Sequence, residues 1–294
     1  MLIHVGHSPD PDDAFMFYAL TFGCFDTAPY QYKHHLEDIE TLNRRAEKGE
    51  YEVTAVSFHA YAHLTDRYLL LPHGASFGDG YGPILVAKAP PKGDPLSWLE
   101  GKRIAVPGTG TSAFLGLQLF ARGVTKAGDP LGEAPKFSTE VVLFDQIIEE
   151  VAQGRFDGGL LIHEGQLTYQ EEASGGLSKV VDLGVWWKEK TGLPLPLGGN
   201  AIRRDLGAER IKTIGAHLVR SVKWGLEHRS EALKYALKYA RDMGFDLADR
   251  FVGMYVNDYT LDYGDAGRTA VNQFLNAGVQ TGIIESKVNL EWSE

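Results

Sequence analysis

The sequence predicts an α/β protein built from two similar lobes, and three observations support this class. Short apolar runs alternate with amphipathic stretches along the 294 residues, a pattern typical of mostly parallel sheets covered by helices. The order strand, polar loop, helix occurs at the start of the chain and again after residue 100. Finally, the segment Gly49-Glu50-Tyr51-Glu52 has a counterpart in Gly154-Arg155-Phe156-Asp157, each placed between a predicted helix and a predicted strand.

Composition and charge narrow the possible functions. Hydrophobic residues make up 44% of the chain and charged residues 23%, as in ordinary globular proteins. The net charge of −10 argues against a nucleic-acid partner, because such proteins usually present a basic face. The single cysteine, Cys24, permits no internal disulfide. With no signal-like start and no long apolar run, we expect a cytoplasmic protein without a membrane partner.

The first half of the chain predicts strands and helices in alternation. Residues 2–5 form an apolar strand, and the polar loop 7–13 leads into a helix over 14–20 with carboxylates in its first turn. A second helix is predicted over 38–48, where Gly49 ends it. A strand over 52–56 follows.

The second lobe is predicted to begin in the same way. A strand over 103–107 precedes the glycine-rich loop 108–112, which opens a helix over 113–120. A later helix over 146–153 is followed by a strand over 158–162. This repetition favours two lobes of similar construction.

Two segments are predicted to connect the lobes. We expect a first lobe of residues 1–88 and 199–294 and a second of 89–198, joined by two hinge crossings at 82–88 and 195–203. The C-terminal region is predicted to be helical and to pack on the first lobe. Such a hinge implies a closing ligand cleft between the lobes. Ligands in open α/β sheets bind beyond the carboxyl ends of the strands.

Asp10, Asp12 and Asp13 lie together before the first helix. They could cap the helix, contact a ligand or, less in keeping with their spacing, hold a metal. The loop also has some similarity to the His-Pro-Asp-Asp loop of zinc-dependent deacetylases, and His59 and His63 have the i, i+4 spacing of zinc ligands. The sequence nevertheless offers no complete ligand set, so we expect no metal.

The loop Gly108-Thr109-Gly110-Thr111-Ser112 is rich in glycine and hydroxyl groups. It lacks the ending of a phosphate-binding P-loop. It could be a simple turn with a helix cap, or a cradle for a carboxylate or phosphate, and both interpretations remain open. If the loop is such a cradle, we expect Ser57, Thr111 and Ser112 to bind a carboxylate.

His163 is the strongest catalytic candidate. It follows the apolar run 158–162, where a strand would deliver a side chain to the edge of its sheet. Histidine is well suited to proton transfer near neutral pH. Catalytic residues favour loops on a rigid scaffold, so a catalytic role is favoured over a structural one.

At these residues the sequence resembles the 1,4-dihydroxy-6-naphthoate synthase family of the futalosine route to menaquinone. Ser8-Pro9 with Pro11 and Asp13 is similar to the family's opening motif, although Asp10, Asp12 and Ala14 depart from it. Further similar segments span nearly the whole chain: 37–43, 56–61, Gly82-Pro83, 158–165, 193–199, Tyr255-Val256-Asn257 and Thr260-Leu261-Asp262.

The resemblance implies a type II periplasmic-binding-protein-like fold that works as a lyase without a metal or redox cofactor. The implied substrate is cyclic dehypoxanthine futalosine, a small anionic aromatic metabolite, and the family's catalytic histidine falls on His163, the general base. The implied substrate-binding residues are Ser8, Asp13, Ser57, Gly82, Thr111, Ser112, Gly198 and Asn257. A chorismate dehydratase-like enzyme and a non-catalytic solute-binding protein remain alternatives.

Overall fold

A computed structural model describes residues 1–127, 129–172, 176–240 and 244–293. Within these ranges, none of the helices combines the length and the apolar character needed to cross a bilayer. Internal contacts divide the chain into two units. Unit 1 contains residues 1–77, 197–268 and 288–294, and unit 2 contains residues 78–196 and 269–287.

The strands in the described residues are β1 (Leu2–His7), β2 (Gln31–Leu36), β3 (Val53–Ser57), β4 (Tyr68–Leu70), β5 (Ser76–Gly78), β6 (Ile84–Ala87), β7 (Arg103–Val106), β8 (Ser138–Val141), β9 (Gly158–Leu161), β10 (Ser178–Asp182) and β11 (Leu195–Arg203). The α-helices are α1 (Pro11–Thr21), α2 (Ile39–Glu47), α3 (Phe58–Tyr61), α4 (Pro95–Trp98), α5 (Ser112–Arg122), α6 (Ile147–Ala152), α7 (Gly165–Glu172), α8 (Leu183–Thr191), α9 (Ala208–Glu227), α10 (Arg229–Ala236), α11 (Phe245–Tyr255), α12 (Asp258–Leu261) and α13 (Gly264–Gln280). Short 3-10 helices lie at Phe144–Gln146, Arg204–Leu206 and Leu237–Tyr239.

Unit 1 is built on a sheet with the strand order β2-β1-β3-β11-β4, in which β5 also pairs with β11. Strand β1 runs parallel to β2 and β3, and β11 runs antiparallel to β3 and β4. Strands β1, β3 and β4 therefore point the same way, so the loops that follow them lie at one edge of the sheet.

Helix α1 shows how local sequence sets the entry to that edge. Pro11 occupies the first turn, where its missing N–H costs nothing, and two acidic residues follow it. The helix then buries its apolar residues against α9. The two helices come close because Gly225 has no side chain: a Cβ there would lie 3.1 Å from the Phe15 backbone oxygen.

Unit 2 has a sheet with the order β10-β6-β9-β7-β8. Strand β7 runs parallel to β8 and β9, whereas β6 runs antiparallel to β9 and β10. The loops after β7, β8 and β9 therefore share one edge. Beneath them lies a core of buried side chains that includes Val86, Ala105, Ile147, Val151 and Leu161.

The predicted strands and helices are present in the structure with small shifts in their bounds. The two observed units, however, differ in extent from the predicted lobes. Segment 82–88 contains β6, which pairs inside the unit 2 sheet and so is not a crossing. Residues 269–287 also belong to unit 2, where the Phe274 ring contacts Trp187 at 5.4 Å between centroids. The chain consequently passes between the units at more points than the two predicted. The predicted ligand cleft stays a prediction.

Candidate active site

The loop after β1 in unit 1 is organised around Ser8. The Ser8 N–H donates to Asp13 Oδ2 at 2.7 Å, and Ser8 Oγ lies 2.7 Å from Asp10 Oδ2 and 3.0 Å from Asp13 Oδ2. All three side chains are buried. A hydroxyl has only one proton to donate, so satisfying both oxygen contacts requires a second proton on one of the carboxyl groups.

The electrostatics of the loop indicate which carboxyl group holds that proton. Burial, reinforced by the nearby Asp10 carboxylate and opposed by the hydrogen bonds from Ser8, raises the pKa of Asp13 to about 7. Two neighbouring buried carboxyl groups cannot both ionise without a large penalty. Asp13 therefore carries a proton for much of its population near neutral pH, which reduces the negative charge of the loop.

His7 supports the same loop from the end of β1. Its Nδ1 lies 3.1 Å from the Ser8 carbonyl oxygen, which can only accept, so Nδ1 carries the proton. Nε2 then accepts from His34 Nδ1 at 3.1 Å. Burial, with the neighbouring His34, lowers the pKa of His7 to about 3, so the ring is neutral at neutral pH.

Ser57 lies at the end of β3, at the same sheet edge as Ser8. Its N–H donates to Asn43 Oδ1 at 2.9 Å, and its Oγ accepts from Asn43 Nδ2 at 3.2 Å. Asn43 thus fixes the residue in a reciprocal pair, and the Ser57 hydroxyl proton can be donated to another group. Gly198 on β11 lies opposite Ser57 in the strand register. The structure therefore brings Ser8, Ser57 and Gly198 to one edge of the unit 1 sheet.

Asn257, predicted as a ligand contact, has a structural role within unit 1. Its Oδ1 accepts from the Tyr259 N–H at 3.0 Å, and its Nδ2 donates to the Met254 carbonyl at 2.8 Å. Its backbone N–H donates to Thr260 Oγ1 at 3.0 Å, which completes a capping box at the start of α12. A role in ligand binding stays a prediction.

Thr111 and Ser112 lie after β7 in unit 2, and both are buried. Thr111 Oγ1 accepts from the Phe114 N–H at 3.1 Å and donates to the Gly108 carbonyl at 2.9 Å. This hydroxyl therefore caps helix α5, as the simpler of the two interpretations predicted. Ser112 is the first residue of α5, where backbone N–H groups lack intrahelical acceptors.

Gly82 also lies in unit 2, beside the start of α8. A Cβ at this position would lie 2.9 Å from the Gly184 nitrogen and Cα. Asp182 caps the same helix by accepting from the N–H groups of Gly184 and Val185, at 2.9 Å and 3.0 Å. Glycine at position 82 is therefore explained by close backbone packing, and its predicted ligand contact stays a prediction.

His163 occupies a sharp turn between β9 and α7. Its φ is +53°, and among the described residues no other non-glycine residue has a positive φ. The His163 carbonyl accepts from the Gln166 N–H at 3.2 Å, so the chain passes directly into the helix. A strand-to-helix turn of this kind exposes its side chain at the sheet edge. Thr111, Ser112 and His163 share that edge of unit 2.

Metal ligation receives no support from the described part of the chain. In it, no group of three or more histidine, cysteine, aspartate or glutamate side chains is arranged to hold a metal ion. The rings of His59 and His63 lie 6.3 Å apart between centroids. The zinc-hydrolase alternative thus lacks a ligand set within these residues.

Sequence reasoning missed three residues that support the site. Asn43 holds Ser57, Ser76 Oγ lies 3.4 Å from Asp12 Oδ2, and the ring of Phe144 contacts that of His163. Asn43 had a detectable signal, because a buried polar residue in an amphipathic helix requires a partner. The other two contacts join residues that are distant in sequence, and no local pattern indicates them.

Comparison with known proteins shows the family. The menaquinone biosynthesis family model matches residues 3–280. A 1,4-dihydroxy-6-naphthoate synthase of Thermus thermophilus is 42% identical over 269 residues, which cover 92% of this chain and 91% of the relative. The enzyme of the same name from Streptomyces coelicolor is 33% identical over 282 residues, covering 96% and 94% of the two chains.

Solved structures agree on the fold. A protein of Archaeoglobus fulgidus, 45% identical, superposes with a TM-score of 0.86 and covers 96% of this chain and 98% of its own. A Candida albicans protein with the generic periplasmic-binding-protein fold gives a TM-score of 0.71 at 13% identity, covering 99% and 98%. The fold is thus a periplasmic-binding-protein-like α/β fold, and the sequence matches establish that this chain belongs to the menaquinone biosynthesis family.

Proposed function

We propose that this enzyme is a 1,4-dihydroxy-6-naphthoate synthase, a lyase that acts on cyclic dehypoxanthine futalosine. The observation that carries the proposal is His163, held in a left-handed turn at the carboxyl end of β9, in a chain 42% identical to an enzyme of that name. The position suits a side chain that must reach a substrate from a rigid sheet. We also infer a cytoplasmic location and a small anionic aromatic substrate.

In this proposal His163 is the general base. A neutral imidazole can accept a proton near neutral pH. When the proton leaves the substrate, the electron pair of the broken bond to hydrogen stays behind and drives cleavage of the bond to the departing fragment. No redox change is needed, because a fragmentation of this type only redistributes electrons within the substrate. Proton transfer by a positioned side chain typically contributes about 10²–10⁴ in rate.

Each unit, taken by itself, offers a donor that can bind an anionic group. In unit 2, the first turn of α5, which begins at Ser112, is the positive end of a helix and attracts anions. Ser57 offers its hydroxyl proton, since its oxygen accepts from Asn43. The full set of proposed binding residues is Ser8, Asp13, Ser57, Gly82, Thr111, Ser112, Gly198 and Asn257, with Thr111 and Asn257 contributing through the segments they cap.

The first loop is acidic, but the raised pKa of Asp13 makes it compatible with an anionic substrate. A protonated Asp13 removes one of the charges that would repel a carboxylate. Asp10 Oδ2 accepts a hydrogen bond from Ser8 Oγ at 2.7 Å, and this bond partly compensates the negative charge at Asp10. The loop can thus lie near an anion at lower electrostatic cost than its sequence suggests.

The proposal is tested by incubating the purified protein separately with cyclic dehypoxanthine futalosine and with chorismate, followed by mass spectrometry. We expect 1,4-dihydroxy-6-naphthoate from the first and unchanged material from the second. Dehydration of chorismate would identify the sister activity instead. Binding of either compound without turnover would indicate a solute-binding protein.

A further inference from the structure

The aromatic ring of Phe144 lies against the imidazole of His163. The ring centroids are 5.0 Å apart and the ring planes meet at 66°, the edge-to-face arrangement that aromatic pairs prefer. Phe144 opens the 3-10 helix that follows β8, whereas His163 follows β9. A side chain from a separate element, the 3-10 helix after β8, therefore limits the directions that the imidazole can take.

Gly159 of β9 allows this contact to form. Helix α6 continues from the Phe144–Gln146 turn and packs directly on β9. A Cβ on Gly159 would lie 2.8 Å from Val151 Cγ2 and closer still to Ile147 Cγ2. Only glycine lets α6 approach so closely, and Ile147 lies less than one helical turn after Phe144. The close packing thus carries Phe144 toward His163.

The backbone of His163 is already fixed before any side-chain contact is considered. Its φ of +53° is set by the turn into α7, and the Gln166 N–H binds its carbonyl oxygen at 3.2 Å. The orientation of the imidazole is then set by its two side-chain torsions. A ring held at one side of the imidazole restricts that rotation without using either ring nitrogen.

We propose that Phe144 is a positioning residue for His163, which helps to hold the imidazole in the orientation that takes the substrate proton. This inference rests on the proposed function, in which His163 is the base. Loss of the aromatic ring would let the imidazole occupy unproductive orientations, so turnover would fall while substrate affinity changed little. Misplacement of a catalytic group by about 1 Å can cost about 10²-fold in rate.

Three variants test the proposal. Phe144→Leu keeps an apolar side chain but removes the ring, and we expect kcat to fall about 10–100-fold with KM nearly unchanged. Phe144→Tyr keeps the ring and should retain most of the turnover. Val141→Thr, at an exposed position on β8, is the matched control and should behave as the unchanged protein.

NMR spectroscopy can monitor the His163 ring directly, without measuring turnover. In protein labelled with ¹³C-histidine, the ring C–H resonances of His163 are assigned by their loss in His163→Asn. The Phe144 ring current acts on these protons, so we expect them to move in Phe144→Leu and to stay near their original positions in Phe144→Tyr and Val141→Thr.

The outcomes separate this inference from the proposed function. Full turnover in a folded His163→Asn protein would overturn the role of His163 and, with it, the positioning role. An inactive His163→Asn together with full turnover in Phe144→Leu would overturn the positioning role alone. A raised KM with unchanged kcat in Phe144→Leu would make Phe144 a substrate contact and would also overturn the inference.

Discussion

At the scale of single residues, His163 combines an uncommon backbone conformation with a reactive side chain. The left-handed region costs an ordinary residue roughly 1–2 kcal/mol, and such strain concentrates at functional sites. The sequence placed His163 at the end of a strand, and the structure confirms this position. The left-handed turn itself could not be predicted, because it depends on how the chain passes into α7.

His163→Asn should abolish most turnover while the protein stays folded. Asparagine tolerates a positive φ better than most residues, so the turn between β9 and α7 should persist. We expect kcat to fall by about 10²–10⁴ and KM to change little, because the proton acceptor is lost while the binding groups remain. Steady-state kinetics with thermal melting as the folding control measure both effects. Turnover near that of the unchanged protein would contradict the assignment.

At the scale of elements, local signals predicted most boundaries to within a few residues. Helix α2 begins after Asp38, whose side chain accepts from the Thr41 N–H at 3.1 Å, and Gly49 follows its end with φ +68°. Such caps are visible in sequence. The pairing of segment 84–87 with β9 and β10 could not be seen in the sequence, because long-range packing and not local sequence determines which strands pair.

Thr111→Val tests the cap of α5 separately from ligand binding. Valine keeps the shape of the side chain but removes the oxygen that accepts from the Phe114 N–H at 3.1 Å. Loss of such a cap typically costs about 1 kcal/mol, which urea unfolding can measure. Thr111→Ser retains the hydroxyl and should be nearly neutral. Equal stability of Thr111→Val and the unchanged protein would contradict the capping role.

Gly159→Ala tests the close packing of α6 on β9. The added methyl group would lie 2.8 Å from Val151 Cγ2 and closer to Ile147, so helix or strand must move. Overpacking of this kind typically costs about 1–3 kcal/mol. Gly154→Ala is not a suitable control because of its positive φ, whereas Gly132→Ala adds a methyl group in open space. A Gly159→Ala protein as stable as Gly132→Ala would contradict the packing.

At the scale of the whole molecule, buried histidines and a buried acid make stability depend on pH. Burial is the main cause that lowers the pKa of His7 to about 3 and those of His34 and His73 to about 4. Burial raises the pKa of Asp13 to about 7. Below pH 6.5 the unfolded chain binds protons at the three histidines that the folded protein does not, so acidification favours unfolding.

Asp13 acts in the opposite direction over much of the same range. Between its unfolded pKa near 3.8 and its folded pKa of about 7, the folded protein holds the proton, so acidification favours folding. Near pH 5, unfolding lets the three histidines take up about three protons and makes Asp13 release about one. The net uptake on unfolding is therefore about two protons. We therefore expect these four groups to lower the free energy of unfolding by roughly 2–3 kcal/mol per pH unit there.

Two variants separate the opposing contributions, because they should change the slope in opposite directions. In His34→Asn the amide can still donate to His7 Nε2, but one histidine no longer titrates, so the slope near pH 5 should fall by about 1.4 kcal/mol per pH unit. In Asp13→Asn the Ser8 N–H keeps an oxygen acceptor while the opposing group is gone, so the slope should steepen by a similar amount. Urea unfolding at intervals between pH 4.5 and 7.5 would measure both slopes. If both variants kept the original slope, the pH dependence would have to arise from other groups, and the neutral histidine pair and the protonated Asp13 would both be contradicted.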